Sequence, residues 1–344
     1  MFSKFKKFRE VFILKKILLN PGPTNTYFST KLAQWVGSDV CHREHSFFNV
    51  LNDLQDRLLS QVYTSNKHSA KVAIMAGSGT TAMESMISSL VDDGVYVINA
   101  GKYGKRAIKM METYNIQYNE IVSKNINDLQ PRDDIKTLYF VENETTTGEK
   151  YELQKMISLY PKAKFYIDAT SAFGASSYQP YEDKIISLCF CSNKCLQSTP
   201  GLGVVIWDGL KNTHKRMFFA DLEKYGKNKL PFTLPTQAVY ALAKAIDTSL
   251  NNKNIFDKRK NKIINSFAKI GIKCINTNPS NSIIGFVHPK MNYENLSQHL
   301  AKQNIIIYSQ VPGIKNSFRV ATMSVVFDKH FDKIIEAFYE TCVC

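Results

Sequence analysis

The sequence predicts an α/β fold: a large domain over residues 17–254 built on a mostly parallel sheet, and a small α+β domain over residues 255–344. Three observations carry this. The chain has 344 residues, more than one hydrophobic core usually serves. From residue 70 onward, short runs that are apolar throughout alternate with segments of helical periodicity, the pattern of parallel strands covered on both faces. After about residue 255 this alternation gives way to a mixture of short strands and helices.

The first 16 residues, MFSKFKKFREVFILKK, are basic and lack the continuous apolar stretch of a secretory leader. Phe2, Phe5, Phe8, Val11, Phe12 and Ile13 have partly helical spacing, so the segment reads as an N-terminal extension, amphipathic and packed on the body or partly mobile. Strands are expected at KVAIMAG (71–77), GVYVINA (94–100), IKTLYFVEN (135–143), KFYIDATS (164–171), IISLCFCS (185–192) and LGVVIWD (202–208). Helices are expected at TAMESMISSLV (81–91), YGKRAIKMMETY (103–114) and YELQKMISLY (151–160). A long helix from Thr236 joins the two domains. The small domain then reads as a helix near 256–269, SIIGFVH (282–288), a helix near 293–303, IIIYSQ (305–310), FRVATMS (318–324) and a last helix.

Composition narrows the function classes. Apolar residues are 44% and charged residues 22% of the chain, ordinary values for a globular protein. The 44 Lys and Arg exceed the 30 Asp and Glu, a formal charge of +14, which draws anions to the surface. Beyond the N-terminal stretch the basic residues are scattered and accompany no recognition motif, so no nucleic-acid partner is expected. No run of 18 apolar residues exists, so no transmembrane helix is expected. Seven cysteines, an odd number, fit a reducing cytoplasm better than a disulfide scaffold. Cys189, Cys191 and Cys195 cluster, but no second ligand pair follows them, so they read as buried strand thiols and no metal site is expected.

In open α/β sheets, ligands sit beyond the carboxyl ends of the strands. After the first predicted strand come Gly77-Ser78-Gly79-Thr80-Thr81-Ala82. Glycines let backbone amides approach an anion, and the following helix start favours phosphate, so Ser78, Gly79 and Thr80 are candidate ligands. A plain strand–helix turn has the same signature. A dinucleotide site requires an acid at the end of the next strand, and Val97-Ile98-Asn99-Ala100 offers none. Asp168 ends KFYID and, alone, could form an Asx turn or a cap. Lys194 follows the next strand in CSNKCLQSTPG and, alone, could be a surface lysine. Taken together, a phosphate cradle, an acid for a pyridinium proton and an amine for a Schiff base are what pyridoxal phosphate requires.

NPGPT (20–24), GSGTTAMES (77–85), ETTTG (144–148), YIDATSAFG (166–174), SNKCLQSTPG (192–201) and FRVATMS (318–324) resemble the class V aminotransferases over roughly residues 17–335. Within that class, Asn-Lys-Cys followed by Pro-Gly-x-Gly is most similar to the 2-aminoethylphosphonate–pyruvate transaminases. The resemblance implies an aspartate-aminotransferase-like fold of type I with a seven-stranded sheet, pyridoxal 5′-phosphate as cofactor, and a homodimer with shared active sites. It implies that Lys194 holds the cofactor as a Schiff base and moves a proton, and that Asp168 pairs with the ring nitrogen. Tyr103 would stack on the ring, Thr145 would touch its hydroxyl side, and Thr236 would reach the phosphate of the neighbouring subunit. Arg319 would take the substrate carboxylate, a role suited to its planar fork, with Thr24 and Arg43 on the substrate side. For Tyr103 and Thr236 a core or capping role is the lesser alternative.

Two departures bear on the substrate. This chain has Cys41-His42-Arg43-Glu44 where the phosphonate enzymes tend to have Cys-Pro-Arg-Glu, and its 205–255 region and C-terminal end are short for the family. The expected reaction is amino transfer from 2-aminoethylphosphonate, or a similar small anionic amine, to pyruvate, giving phosphonoacetaldehyde and alanine. An alanine–glyoxylate or serine–pyruvate type remains open, as does another reaction on the same cofactor. Desulfurase chemistry requires a reactive cysteine near the substrate, and nothing marks Cys274, Cys342 or Cys344 in that way. A regulatory protein that merely holds the cofactor is disfavoured by the presence of Lys194, Asp168 and Arg319 together.

Overall fold

A computed structural model describes residues 16–37, 39–64, 69–210 and 214–343. The amphipathic extension expected at the N-terminus falls, apart from Lys16, outside the described residues. The central sheet has seven strands: β1 (Lys71–Gly77), β2 (Val95–Asn99), β3 (Tyr118–Val122), β4 (Thr137–Val141), β5 (Lys164–Asp168), β6 (Ile185–Cys191) and β7 (Gly201–Trp207). Their spatial order is β1-β7-β6-β5-β4-β2-β3. Neighbours run parallel except at β7, which is antiparallel to both β1 and β6. This is the mostly parallel sheet the sequence predicts.

The uniformly apolar strands divide their side chains between two cores. Leu138, Phe140, Phe165 and Ile167 pack on one face with Phe47, Leu51, Leu54, Val239 and Leu242. Tyr139, Val141 and Tyr166 pack on the other with Met83, Met86, Leu90 and Met111. A strand buried on both faces has no polar side to alternate with, which is why these segments read as unbroken apolar runs. The helix His45–Leu59 and the helix Thr236–Ser249 cover the first face; Gly79–Leu90 and Lys102–Thr113 cover the second.

Strand β3 has a different character. It lies at the edge of the sheet opposite β1, and Asn119, Glu120 and Val122 are exposed, so it carries no buried apolar signal. The sequence reading of six strands missed it for that reason. It also missed the helices Phe28–Val36 and His45–Leu59.

The C-terminal part holds a three-stranded antiparallel sheet ordered β8 (Lys273–Cys274), β9 (Ile283–Val287) and β10 (Ser317–Ala321). Phe267 lies at its centre, with ring centroids 4.8 Å from Phe286, 6.2 Å from Phe318 and 4.7 Å from Phe338. Ile17 and Leu19 join this same core, and Ile17–Leu18 pairs in parallel with Ile305–Ile306. Of the strand expected at 305–310, only Ile305–Ile306 is formed; beyond it the chain turns into the loop that holds Arg319. Among the described residues, no helix is long and apolar enough to cross a membrane.

Candidate active site

The carboxyl ends of β1, β5 and β6 gather the residues singled out from sequence. After β1, Ser78 caps the helix Gly79–Leu90: its hydroxyl accepts from the Thr80 amide at 3.2 Å, and the Thr81 hydroxyl accepts from the Ser78 amide at 3.1 Å. The turn is too tight for larger residues. A Cβ on Gly77, where φ is +153°, would lie 2.4 Å from Thr81 Oγ1, and one on Gly79 would lie 2.8 Å from Thr170 Cγ2. A helix start with this close backbone is suited to a phosphate: its dipole favours negative charge, and the Ser78 and Thr80 amides, capped here by side-chain hydroxyls, are the donors an anion would take over.

Arg106, which the sequence reading passed over, stands at this cradle. Its Nη1 donates to Thr80 Oγ1 at 2.8 Å, and its guanidinium lies 4.7 Å from the centroid of the Tyr103 ring. The available signal was its position three residues after Tyr103, which puts both on one helix face.

Asp168 is 1% exposed. Its Oδ1 accepts from the Thr170 amide at 2.9 Å, whereas Oδ2 has no hydrogen-bond partner. Burial pushes the carboxyl above its usual range. An unpartnered buried carboxylate oxygen is costly and calls for an explanation; a cationic ring N–H placed against it supplies one.

Lys194 Nζ donates to Ser171 Oγ at 3.0 Å, and Ser171 Oγ lies 2.8 Å from Thr145 Oγ1. Nζ is 5.8 Å from the Tyr103 ring centroid. The amine is therefore steadied by a hydroxyl pair and an aromatic ring. Ser171 is a second residue the sequence reading did not single out, although it sits inside the YIDATS motif. The Asn20–Thr24 loop lies against the lysine stem: a Cβ on Gly22, where φ is +123°, would be 3.2 Å from Lys194 Cγ. In that loop Thr24 is buried, and Thr24 Oγ1 and Asn20 Oδ1 both lack partners.

Arg319 comes from β10 and reaches the turn after Glu144 that bears Thr145. Its Nη1 donates to the Thr145 carbonyl at 2.5 Å, Nη2 to Ser309 Oγ, and Nε to the Ser309 carbonyl at 3.4 Å. Burial lowers its pKa from the ordinary value. Among the described residues no carboxylate pairs with it, so a buried cation there can take an anion from outside. Glu144 underlies the same region: it accepts from the amides of Tyr103, Gly104 and Thr146 at 3.2, 3.4 and 3.1 Å. It thereby ties the loop bearing Thr145 to the start of the helix bearing Tyr103.

Two expected residues are not gathered. Arg43 is exposed in the turn before the helix His45–Leu59 and has no hydrogen bond to the site. Thr236 starts the helix Thr236–Ser249, and its hydroxyl bonds to Gln237 Oε1 at 3.1 Å rather than to the cradle. Cys189, Cys191 and Cys195 are buried, and burial pushes the Cys195 thiol up to about 12.

No family model matches the chain. It is 27% identical over 356 residues to a bifunctional phosphonoacetaldehyde hydrolase/aminoethylphosphonate transaminase of Clostridioides difficile, an alignment covering 93% of this chain and 55% of that protein. The chain thus spans about half the length of that relative. It is 26% identical over 359 residues to a 2-aminoethylphosphonate–pyruvate transaminase of Bacillus cereus, covering 93% and 96% of the two chains. Among solved structures, a subgroup IV aspartate aminotransferase from Thermus thermophilus superposes with a TM-score of 0.84 at 20% identity, covering 94% and 98%. An alanine–glyoxylate aminotransferase from Nostoc sp. superposes with a TM-score of 0.77 at 20% identity, covering 95% of each chain. The architecture is the type I aminotransferase fold, and the sequence is similar over nearly its whole length to 2-aminoethylphosphonate–pyruvate transaminases.

Proposed function

We propose that this chain is a class V, pyridoxal-phosphate-dependent aminotransferase, and that it exchanges an amino group between 2-aminoethylphosphonate, or a similarly small anionic amine, and pyruvate. The observation that carries the cofactor is Asp168 Oδ2, buried and unpartnered at the end of the strand adjacent to the one that leads to Lys194. When bound, pyridoxal phosphate supplies an electron sink for the bond broken at the substrate carbon. In this reading the Ser78–Thr80 helix start and Arg106 hold its phosphate, Tyr103 stacks on its ring, and Asp168 keeps the ring nitrogen protonated. Thr145 and Ser171 orient the Lys194 amine, which would be the group that holds the cofactor and would carry the proton to and from the substrate Cα.

Arg319 and the unpartnered Thr24 hydroxyl fit the carboxylate side of pyruvate. The amine is less constrained, because His42 stands where the phosphonate enzymes tend to have proline and Arg43 is exposed. A coupled assay of the purified protein with pyruvate and a panel of amines tests the reading. Alanine should form from 2-aminoethylphosphonate. Rapid turnover of serine or another plain amino acid, with none of the phosphonate, would favour the alanine–glyoxylate or serine–pyruvate type instead. In the same assay Arg319→Ala should raise KM for pyruvate about ten- to a hundredfold, the loss expected for charge-assisted hydrogen bonds. An unchanged KM would remove Arg319 from the substrate site.

We also propose a homodimer with shared active sites. The helix Phe28–Val36 packs beside Thr236–Ser249 and leaves Phe28, at 79%, and Trp35, at 84%, exposed on its other side, with Leu32 and Val36 between and beside them. An apolar stripe of this kind on a surface helix is commonly covered by a partner. In this reading a second copy covers the stripe, and Thr236, at the start of the helix packed beside it, is the residue that reaches the other subunit's cradle. Trp35→Glu should shift the protein to a monomer in sedimentation and lower turnover with it; a fully active monomer would refute the shared site. The six described cysteines are all free, in keeping with the reducing cytoplasm in which we place the enzyme.

A further inference from the structure

Beside the cofactor cradle lies a second cavity of about 410 Å³, within the size range of small-molecule sites. Its lining contains Lys102, Lys105, Arg106 and Lys109 from one helix, with Thr146 and Pro312 on the facing walls, and no acidic residue. The spacing i, i+3, i+4, i+7 puts all four cations on one side of the helix Lys102–Thr113. Like charges at that spacing repel one another, so the face is held together at a cost.

A solvated basic face is the plain alternative, and the rest of the molecule shows what such faces look like here. Lys244 pairs with Asp247, and Lys215 and Lys227 pair with Glu223. Lys102, Lys105 and Lys109 have no ion pair among the described residues. Glu144, the buried acid at the start of this helix, is already engaged by three backbone amides. The cavity therefore concentrates positive charge in a concave space, where the field is stronger than on a convex surface.

Its position ties it to the active site. Arg106 is shared, since it lines the cavity while its guanidinium bonds to Thr80 in the cradle. Thr146 follows Thr145, whose carbonyl accepts from Arg319, and Pro312 lies in the loop that also bonds Arg319 through Ser309. We infer that this cavity is an anion subsite, separate from the cofactor phosphate site and continuous with the substrate entrance, that takes a phosphate- or phosphonate-bearing small molecule. The anion is either an extension of the amine donor or a free phosphate compound that modulates the enzyme.

The test uses holoenzyme reduced with borohydride, so that the cofactor phosphate remains in its own site, titrated calorimetrically with inorganic pyrophosphate. Wild type should show one saturable site that weakens as salt rises. Lys105→Gln/Lys109→Gln should bind at least about tenfold more weakly, the loss expected for charge-assisted contacts. Both side chains are exposed, so the fold is not at stake. Absence of saturable binding to wild type, or equal binding to the double variant, overturns the subsite. This arm does not depend on transamination. With unreduced enzyme, pyrophosphate competing with the amine donor identifies the donor's own anion as the occupant. A change in rate without competition identifies a separate phosphate compound. Binding that leaves every turnover rate untouched overturns the link to the substrate entrance.

Discussion

Lys194→Ala should lose turnover by about four orders of magnitude or more, the upper end of what one proton-transferring side chain contributes. The argument rests on geometry as well as motif. Nζ sits 3.0 Å from Ser171 Oγ, beyond the carboxyl end of β6, and the unpartnered Asp168 oxygen lies at the end of the neighbouring strand β5. No carboxylate holds the amine in an ion pair among the described residues, which leaves it available as a nucleophile. In wild type, borohydride should fix the cofactor to Lys194 and mass spectrometry should find it on the peptide containing SNKCLQ. In Lys194→Ala the label should disappear. Lys194→Arg should not restore activity, because a guanidinium keeps its charge but cannot form the covalent link. A label on another lysine, or retained turnover in Lys194→Ala, would defeat the proposed reaction.

The parts of this molecule that could be read from sequence share a physical cause. β1, β2, β4, β5, β6 and β7 are buried on both faces, so their apolar runs stand out. Ser78, Asp168 and Lys194 fall directly after such runs, where the topology of a parallel sheet concentrates ligands. β3 was illegible because Asn119, Glu120 and Val122 are exposed, whereas β1, at the other edge, buries Val72, Ala73, Ile74 and Met75. The helix Phe28–Val36 was illegible because it presents Phe28 and Trp35 to its surroundings, which blurs the division between a polar and an apolar face. Arg106 was missed because its partner Thr80 is 26 residues away and meets it only in three dimensions. The basic cavity could be half seen: the spacing of Lys102, Lys105, Arg106 and Lys109 is visible in KYGKRAIK, but the walls from Thr146 and Pro312 belong to distant segments. Arg43 and Thr236 were assigned through the resemblance alone, and a single chain brings neither to the cradle.

Asp168→Asn should slow turnover by about a hundred- to a thousandfold while leaving cofactor bound, on the scale observed when one preorganised electrostatic contact to a developing charge is removed. The substitution preserves shape and the bond from the Thr170 amide, so the turn that Asp168 also forms should survive. What it removes is the negative charge. In this structure burial raises the Asp168 carboxyl above its usual range, since nothing cationic sits against Oδ2. A protonated ring nitrogen at that oxygen reverses the balance, because an opposite charge favours the ionised form of both partners. The two groups are therefore linked: cofactor binding should lower the Asp168 pKa, and the carboxylate should raise that of the ring nitrogen. With asparagine the ring nitrogen loses its counter-charge and titrates at lower pH. The absorption spectrum of the bound cofactor should then change with pH in a range where wild type is constant. This spectral shift separates an electrostatic role from a structural one, because a residue that only shaped the turn would leave the cofactor's titration unchanged. Wild-type turnover together with a wild-type spectrum in Asp168→Asn would reduce Asp168 to the turn residue it resembles when β5 is read alone.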